Sequence, residues 1–550
     1  MSNGTTLAPP APTRRKPASA LRSGALMAAG SLVSRATGFV RASVVAAALG
    51  AGAVADGYAV GNSVPTIVYM LLLGGALNAV FVPELVKAAK EHEDGGAAYT
   101  DRLLTLCGLA LTALTAGAVL AAPLIVDTYT DYAGGQRDLT IAFTRACLPQ
   151  ILFLGLFTLL GQVLNARGRF GAMMWTPVLN NVVVVAVFGL FLVVSDGGEL
   201  TPGETALLGW GTTAGIAAQA LALLPSLRAA RFRFRPRFDW RGSGLTAPLR
   251  AAGWLVLLVA TNQAAYWVTT WVATSAGSPP ETGGGLASTD GGGGAGLAVY
   301  NNAYLLWAVP HGIVTVSLVT ALMPRMSGAA ADGDLAGVRR DVSYAQRTTA
   351  AAVVPAACAL LALATPLMTL VFGHGATDGA DVRAMAWTLI AFAPGLIAFS
   401  GQYVCTRAFY ALRDTRTPFL LNLVIAGLNA GLSLAAYHWL PTHWAVTGMA
   451  AGYSLALWAG WGLTAYVLRR RLPASPDGGD GLGRLLLAAI PATGYGLFVT
   501  DTAAPAGAVL SGLAGAVTVL GAFALLARPL RLTEVSALLA KATGRLTRRT

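Results

Sequence analysis

Long apolar runs alternate with short polar segments along almost the whole chain, and this pattern predicts a protein that crosses a membrane many times. Runs of about 20 residues match the length that a helix needs to cross a bilayer. They are too long and too uniformly apolar for barrel strands, so helices are the expected spanning form. We predict fourteen spans, numbered in chain order: 21–48, 57–83, 103–126, 139–164, 171–195, 204–227, 248–273, 295–323, 348–373, 383–411, 417–438, 444–468, 484–500 and 506–528.

The composition leads to the same class of protein. The chain of 550 residues is 55% hydrophobic and only 11% charged, and its mean hydropathy is +0.61. We therefore predict an all-α polytopic membrane protein with about 14 transmembrane helices, rather than a series of soluble domains. The first apolar run follows a basic tail and has no clear small-residue cleavage site, so we interpret it as an uncleaved first span.

The basic residues are distributed very unevenly between the two sides of the predicted spans. Of the 38 Lys and Arg residues, thirty-three fall on one side, three fall inside spans, and only Arg137 and Arg383 fall on the other side. The positive-inside rule assigns the basic side, with both termini, to the cytoplasm. The alternating basic and aromatic run at 231–238 could imitate a nucleic-acid patch. A cytoplasmic loop lying on anionic headgroups is the better interpretation, so we expect no nucleic-acid partner.

Matched prolines indicate an internal repeat. Pro65 and Pro310 are 245 residues apart, and so are Pro149 and Pro394. These pairs match span 2 with span 8 and span 4 with span 10, so spans 1–6 repeat as spans 7–12 in the same orientation. Parallel repeats of this kind place a substrate site between two bundles. The predicted units are a disordered basic tail (1–19), a six-helix bundle (20–227), a basic linker (228–247), a second six-helix bundle (248–468), two additional helices (484–528) and a basic amphipathic cytoplasmic tail (529–550).

Three basic residues lie inside predicted spans and away from the span ends, namely Arg35 and Arg41 in span 1 and Arg145 in span 4. A charge at membrane depth costs a few kcal/mol or more, so it marks a functional path by default. No carboxylate lies at a comparable depth in the predicted spans, which favours an anionic cargo over coupling to protons or sodium through an intramembrane acid. Arg35 and Arg41 are about 120° apart around an ideal helix. The cavity must therefore be wide, or the helix must bend at Gly38.

Each of these candidates has a structural alternative. Arg35 can instead snorkel to the inner interface, and Arg145 can lie near the outer headgroups. Asp56, at the start of span 2, is either a cap of that helix or a substrate-binding group. The sequence contains no P-loop, no metal-ligand spacing, no GxSxG motif and no carboxylate pair at depth, so we expect no enzyme activity, metal or cofactor.

Five segments in combination resemble one known family. They are SRATGFVR (34–41), ALGAG…AD (48–56), VPTIVYMLLLGGALNAVFVP (64–83), AVPHGIVTVSLVTALMPRMS (308–327) and ALRDTRTP (411–418). Through them the chain resembles the MurJ/MviN family of lipid II flippases, part of the multidrug/oligosaccharidyl-lipid/polysaccharide exporter superfamily. The resemblance extends over spans 1 to 14 and implies a fourteen-helix fold in the bacterial plasma membrane.

The resemblance also implies site residues. Arg35 and Arg41 match the family's first-helix arginines, and Asp56 matches its acid at the start of span 2. The chain departs from the pattern at Ala42, where many members have Asp, and spans 2 and 8 lack charges that many members carry. It is thus similar to a divergent member of the family.

These observations lead to one functional hypothesis with two alternatives. The protein is expected to move lipid II, a polyprenyl-pyrophosphate-linked peptidoglycan precursor, from the inner to the outer leaflet by alternating access. Its expected substrate-binding residues are Arg35, Arg41, Asp56 and Arg145. The expected partners are the lipid-linked precursor, membrane lipids and proteins of cell-wall synthesis. The alternatives are an exporter of another lipid-linked glycan and a non-transporting membrane scaffold for cell-wall synthesis.

Overall fold

A computed structural model describes most of the chain. The described residues are 17–70, 94, 96–167, 169, 171–195, 198, 200–239, 253–277, 295–473, 480–532 and 534–536. Four predicted segments lie wholly or partly outside them: residues 1–16 of the disordered tail, the second half of span 2, residues 240–247 of the linker and most of the C-terminal amphipathic tail. Within this part of the chain, all regular elements are helical and none is a strand, as predicted.

The N-terminal half, residues 17–239, contains nine helices in its described part. They are α1 (Pro17–Leu49), α2 (Ala53–Tyr69), α3 (Ala97–Leu120), α4 (Ala122–Tyr129), α5 (Gly134–Cys147), α6 (Gln150–Ala166), α7 (Gly171–Val194), α8 (Pro202–Leu221) and α9 (Leu224–Ala229). α7 packs along α1 and α8, and α5 packs along α2 and α8.

The C-terminal half, residues 253–473, continues the helical pattern. Its described helices are α10 (Gly253–Gly277), α11 (Leu297–Pro310), a π-helical turn (His311–Thr315), α12 (Val316–Ala331), α13 (Leu335–Ala362), α14 (Ala364–Phe372), α15 (Gly379–Phe392), α16 (Gly395–Ala411), α17 (Arg416–Trp439) and α18 (Thr442–Arg471). Two further helices, α19 (Asp480–Thr502) and α20 (Ala508–Leu526), pack against each other and against α13.

Most of the predicted spans coincide with helices that can cross a bilayer. Among the described residues, 10 helices are long and apolar enough, and the bent pair α15 and α16 raises the number to 11. The remaining predicted spans, 57–83, 248–273 and 444–468, coincide with the shorter or less apolar helices α2, α10 and α18. The fold is therefore that of an all-α polytopic membrane protein.

Helix breaks occur at equivalent places in the two halves. α5 ends just before Pro149 and α6 follows it, while α15 ends just before Pro394 and α16 follows it with a bend of 47°. Proline causes such breaks because it has no N–H for the carbonyl four residues earlier. The preceding spans are broken similarly, between α3 and α4 and between α13 and α14. The matched prolines in the sequence thus correspond to helix breaks at equivalent positions in the two halves.

The two halves touch mainly through α1, α2 and α4 on one side and α10, α11 and α14 on the other. Chain direction distinguishes two ends of the bundle. The basic end carries the arginine-rich segments 228–237, 412–416 and 469–471, whereas the opposite end carries the turns 50–52, 130–133 and 373–378. These two names are used below for the two ends.

Candidate transport cavity between the two halves

Arg35 and Arg41 both border a cavity of about 730 Å³, which we name the arginine cavity. Its walls come from α1 and α2 of the N-terminal half and from α11 of the C-terminal half. α1 is continuous from Pro17 to Leu49, so the cavity is wide enough to receive side chains from two faces of one helix. Both arginines are therefore placed together, as expected from the sequence.

Arg35 reaches from the N-terminal half to the C-terminal half. Its guanidinium lies directly against Gly312 in the π-helical turn and interacts electrostatically with His311. The His311 Nδ1 in turn shares a 3.0 Å hydrogen bond with the Ser400 hydroxyl. Arg35 thus faces a wall of the cavity that belongs to the other half, and in the described chain it forms no ion pair with a carboxylate.

Arg41 lies deeper and is half-buried. Its guanidinium interacts electrostatically with the Tyr58 hydroxyl, which lies 3.0 Å from the Thr212 hydroxyl. Tyr58 is packed edge-on against Phe143 and Phe188, so its hydroxyl is held in a fixed position. As with Arg35, no ion pair to Arg41 occurs in the described part of the chain. A positioned guanidinium without a carboxylate is suited to bind an anion.

Asp56 closes the opposite end of the cavity rather than lining it. It is only 1% exposed, and its Oδ1 accepts a 2.7 Å hydrogen bond from the backbone N–H of Ala298 in the first turn of α11. The residue at the N-cap of α11 is Gly296, which has no side chain to accept that bond, and its Cα lies against the Asp56 carboxylate. Asp56 therefore caps a helix of the other half. Capping of its own helix, one sequence alternative, does not occur, since α2 has no side-chain cap.

Further hydrogen bonds join the two halves at the opposite end. The N–H of Ala376 donates to the Ala47 carbonyl over 2.8 Å, and the Thr377 hydroxyl donates to the Ala46 carbonyl over 3.0 Å. On the other side, the Trp267 indole donates to the Thr128 carbonyl over 3.0 Å. The opposite end is therefore closed by direct contacts between the halves.

Arg145 is separated from the other candidates. It lies at the end of α5 with an exposed side chain, and it borders neither the arginine cavity nor the larger cavity described next. No carboxylate pairs with it in the described ranges. Its predicted contact with cargo stays a prediction.

A second cavity, of about 740 Å³, adjoins the arginine cavity, and we name it the tyrosine cavity. The two cavities share the lining residues Asn62, Ser63 and Asn301. The tyrosine cavity extends between α2 and the C-terminal half, and its walls are rich in aromatic rings and amides. The rings are Tyr266, Tyr300, Tyr304, Phe399, Tyr403, Tyr410 and Tyr453, and the amides include Asn262, Gln263, Gln402, Asn422 and Asn429.

Two amide oxygens in the wall of the tyrosine cavity have no hydrogen-bond partner among the described residues. They are Gln402 Oε1 and Asn429 Oδ1. Native proteins pair nearly all buried polar atoms, so unpaired acceptors in a cavity wall indicate a place for a ligand with hydroxyl or N–H donors. The tyrosine cavity thus differs chemically from the arginine cavity.

The sequence analysis missed one cation of this region, Arg407. It lies one turn before the end of α16, and in the sequence this position belongs with the basic residues on the cytoplasmic side. In the structure it lines the tyrosine cavity, half-buried, and its Nη2 donates a 3.0 Å hydrogen bond to the Tyr403 hydroxyl. Its guanidinium also lies over the rings of Tyr403 and Tyr410. Its spacing of four and three residues from these tyrosines was the available signal, because such residues share a helix face.

No group of three or more His, Cys, Asp or Glu side chains in the described chain could hold a metal ion.

Two similar helical halves that enclose polar cavities inside an apolar bundle define a polytopic membrane transporter. The particular family follows from sequence. The family profile described as "Lipid II flippase MurJ" matches residues 45–517, which is most of the chain. The chain therefore belongs to the MurJ family, whose members are transporters and not catalytic enzymes.

Individual relatives agree with this assignment. The chain is 27% identical over 463 residues to a probable lipid II flippase MurJ of Haemophilus influenzae, covering 80% of this chain and 84% of that protein. It is 26% identical over 418 residues to a lipid II flippase MurJ of Burkholderia cenocepacia, covering 74% of this chain and 76% of the relative.

Solved structures show the same fold. A structure of the lipid II flippase MurJ in an inward closed conformation superimposes with a TM-score of 0.72 at 18% identity, covering 92% of this chain and 99% of that one. An inward-facing multidrug resistance transporter of the MATE family superimposes with a TM-score of 0.55 at 14% identity, covering 81% and 93% of the two chains.

Proposed function

We propose that this protein is a lipid II flippase, which moves the polyprenyl-pyrophosphate-linked peptidoglycan precursor from the inner to the outer leaflet of the bacterial plasma membrane. One observation carries the proposal. Arg35 and Arg41 border one cavity between the two halves, and neither is paired with a carboxylate in the described chain. The family assignment and the names of the relatives support the same cargo.

The physical requirement is to carry a charged headgroup through hydrocarbon. An isolated ion transferred to a medium of low dielectric faces a cost of tens of kcal/mol, so a pyrophosphate cannot cross unassisted. Arg35 and Arg41 would replace part of its lost hydration with charge-assisted hydrogen bonds, and guanidinium groups can bind phosphate oxygens in pairs. The hydrophobic tail of the lipid would remain in the bilayer throughout.

The chemical difference between the two cavities suggests how the headgroup is divided. The pyrophosphate would lie in the arginine cavity, and the uncharged sugar portion would extend past Asn62 and Asn301 into the tyrosine cavity. Aromatic rings offer flat apolar surfaces with polar tips, and the unpaired amide oxygens of Gln402 and Asn429 would accept from sugar hydroxyls. Each cavity falls within the range of about 300–1,000 Å³ that is usual for ligand sites.

Transport would follow from rocking of the two halves about this site, as in other transporters built from parallel repeats. In the described structure the opposite end is closed by Asp56 and its neighbouring contacts. The positive-inside rule places the basic end and both termini in the cytoplasm, so opening of the opposite end would release cargo outward. Each negative charge moved outward gains about 2.3 kcal/mol per 100 mV of inside-negative potential, which can drive export without an intramembrane acid.

Genetic replacement tests transport against the alternatives. The gene should restore growth to a bacterium depleted of its own lipid II flippase, and the Arg41→Ala variant, expressed at the same level, should not. Rescue by both proteins would show that transport does not require Arg41. Rescue by neither, with no lipid moved in vesicles, would favour a non-transporting scaffold for cell-wall synthesis. Rescue by neither, together with outward movement of a different lipid-linked glycan in vesicles, would favour an exporter of that glycan.

A further inference from the structure

A third cavity lies inside the C-terminal half, near the basic end, and we name it the C-half pocket. It has a volume of about 520 Å³ and is enclosed by α13, α16, α18 and α19. It shares no lining residue with the arginine cavity or the tyrosine cavity. The cargo route proposed above therefore leaves this pocket without a role.

The C-half pocket has an excess of positive charge. Arg339, Arg347 and Arg469 line it, and Glu534 is the one acid among the described residues of its wall. Arg347 and Glu534 form an ion pair with 3.5 Å between Nε and Oε1. Arg339 and Arg469 instead repel each other, and the described residues place no carboxylate within ion-pair distance of either. Two like charges held together in one pocket favour an anionic ligand.

Two hydrogen-bond donors in the wall point to the same class of ligand. The Nε of Arg339 is buried and has no hydrogen-bond partner among the described residues, and the same holds for the hydroxyl of Thr349. Thr349 is only 2% exposed. A guanidinium nitrogen can only donate, and a hydroxyl can donate, so a ligand rich in acceptor oxygens would satisfy both. Ten residues of α13 separate the two donors by about 15 Å, so the ligand must be longer than one phosphate. The donors and the charge excess are independent observations.

The shape of the C-half pocket distinguishes a lipid from a soluble phosphate. Its lining along α13 runs from Arg339 at the basic end to Val353, about 21 Å further along the helix axis at 1.5 Å per residue. The inner part of this wall is apolar, with Val353 and Ile397 on one side and Leu482 and Leu485 on the other. A phosphate alone would contact only the arginine end. A lipid would fill the arginine end with its headgroup and the apolar part with an acyl chain.

We propose that the C-half pocket binds an anionic phospholipid from the leaflet at the basic end. Its phosphate contacts Arg339 and Arg469, an ester oxygen of its glycerol backbone accepts from the Thr349 hydroxyl further along α13, and one acyl chain lies along the apolar wall. Basic pockets between transmembrane helices on the cytoplasmic side are known sites for anionic headgroups. The bound lipid links α19 to α13 and α18. This site is independent of the cargo, and its test does not require transport.

The test measures phospholipid binding to the full-length protein, purified in neutral detergent and stripped of lipid. Phosphatidylglycerol, phosphatidylcholine with the same acyl chains, and inorganic phosphate are titrated separately, and the shift of the thermal unfolding midpoint gives an apparent Kd for each. We expect phosphatidylglycerol to bind at least about tenfold more tightly than the other two ligands. The variants Arg339→Gln and Arg469→Gln should each raise the apparent Kd for phosphatidylglycerol by about tenfold or more.

Two further variants keep the result interpretable. Thr349→Val preserves the shape of the side chain and removes only its hydroxyl, so it should fold normally and weaken phosphatidylglycerol by about threefold to tenfold. Arg470→Gln removes an adjacent cation that lies over Tyr466 and does not line the pocket, and it should change the Kd by less than about twofold. Two results would overturn the assignment of the site. One is unchanged phosphatidylglycerol binding in Arg339→Gln, Arg469→Gln and Thr349→Val, and the other is an equal loss of binding in Arg470→Gln. Equal protection by inorganic phosphate would overturn the assignment to a lipid.

Discussion

Removing the Asp56 carboxylate should open the end of the protein that is closed in this structure. Asp56 accepts a 2.7 Å hydrogen bond from Ala298 of the other half, and it is the side chain that caps α11 there. Asp56→Ala leaves that buried N–H unpaired in the closed state only, because water reaches it once the halves separate. A buried donor without a partner costs about 1–3 kcal/mol. The equilibrium between closed and open forms should therefore shift about 5–150-fold toward opening.

Thiol labelling measures this shift directly. Ser63 lines both the arginine and the tyrosine cavity, so a Ser63→Cys reporter is introduced after the 4 native cysteines are replaced. A membrane-impermeant thiol reagent, added from the side of the opposite end, should label the reporter about 5–150-fold faster in Asp56→Ala than in the parent. Asp56→Asn retains an oxygen acceptor and should increase the rate by less than about threefold.

A matched control separates the buried contact from exposed ones. The exposed Asp131 accepts a 2.8 Å hydrogen bond from the Ser275 hydroxyl across the same end. Water can replace that bond at little net cost, so Asp131→Ala should change the labelling rate by less than about threefold. An unchanged rate in Asp56→Ala, or an equal increase in Asp131→Ala, would refute the capping role of Asp56.

Three further predictions concern the cavities and the closed end. Arg407→Gln should weaken binding of a pyrophosphate-linked glycolipid by about tenfold, measured by titration in detergent, because it removes a guanidinium that can donate hydrogen bonds to sugar oxygens in the tyrosine cavity. Asn429→Leu should weaken binding of the same glycolipid by about tenfold but change binding of the sugar-free polyprenyl pyrophosphate by less than about twofold. An equal loss of affinity for both lipids would exclude a sugar subsite. Gly375→Val should lower the midpoint of thermal unfolding, because φ is +63° there and a Cβ would meet the Ala47 carbonyl. The expected strain is at least about 1–2 kcal/mol, and an unchanged midpoint would contradict it.

Much of the fold follows from the sequence because membrane helices have strong sequence signals. The length and uniform apolarity of each run predict a span, and the pairing of Pro149 with Pro394 predicts breaks at equivalent places in two halves. The structure has helix ends at both prolines. The breaks between α3 and α4 and between α13 and α14 were not predicted. Each lies within a continuous apolar run, so hydropathy alone cannot locate it. The signal that was not used is a proline in the first turn after each break, Pro123 in α4 and Pro366 in α14.

The candidate site was only partly predictable, and the reason is the contact between the halves. Arg35 and Arg41 are recognisable because a cation inside an apolar run is rare and costly. The partner of Asp56 is 242 residues away in the chain, and it is a backbone N–H that any residue supplies. No local pattern encodes such a contact. Arg407 was missed because distance from the helix end does not tell whether an arginine faces a cavity or the membrane interface.

Outward movement of lipid II in proteoliposomes tests most directly whether Arg35 and Arg41 carry the anionic headgroup. The full-length protein is reconstituted with an inside-negative potential, and arrival of lipid II in the outer leaflet is followed for the parent, Arg41→Ala and the control Arg383→Ala, which removes an exposed cation at the opposite end. We predict that Arg41→Ala lowers the initial rate by at least about tenfold, equivalent to 1.4 kcal/mol, while Arg383→Ala stays within twofold of the parent. Transport by Arg41→Ala at the parental rate would contradict the assignment of the arginine cavity to the pyrophosphate.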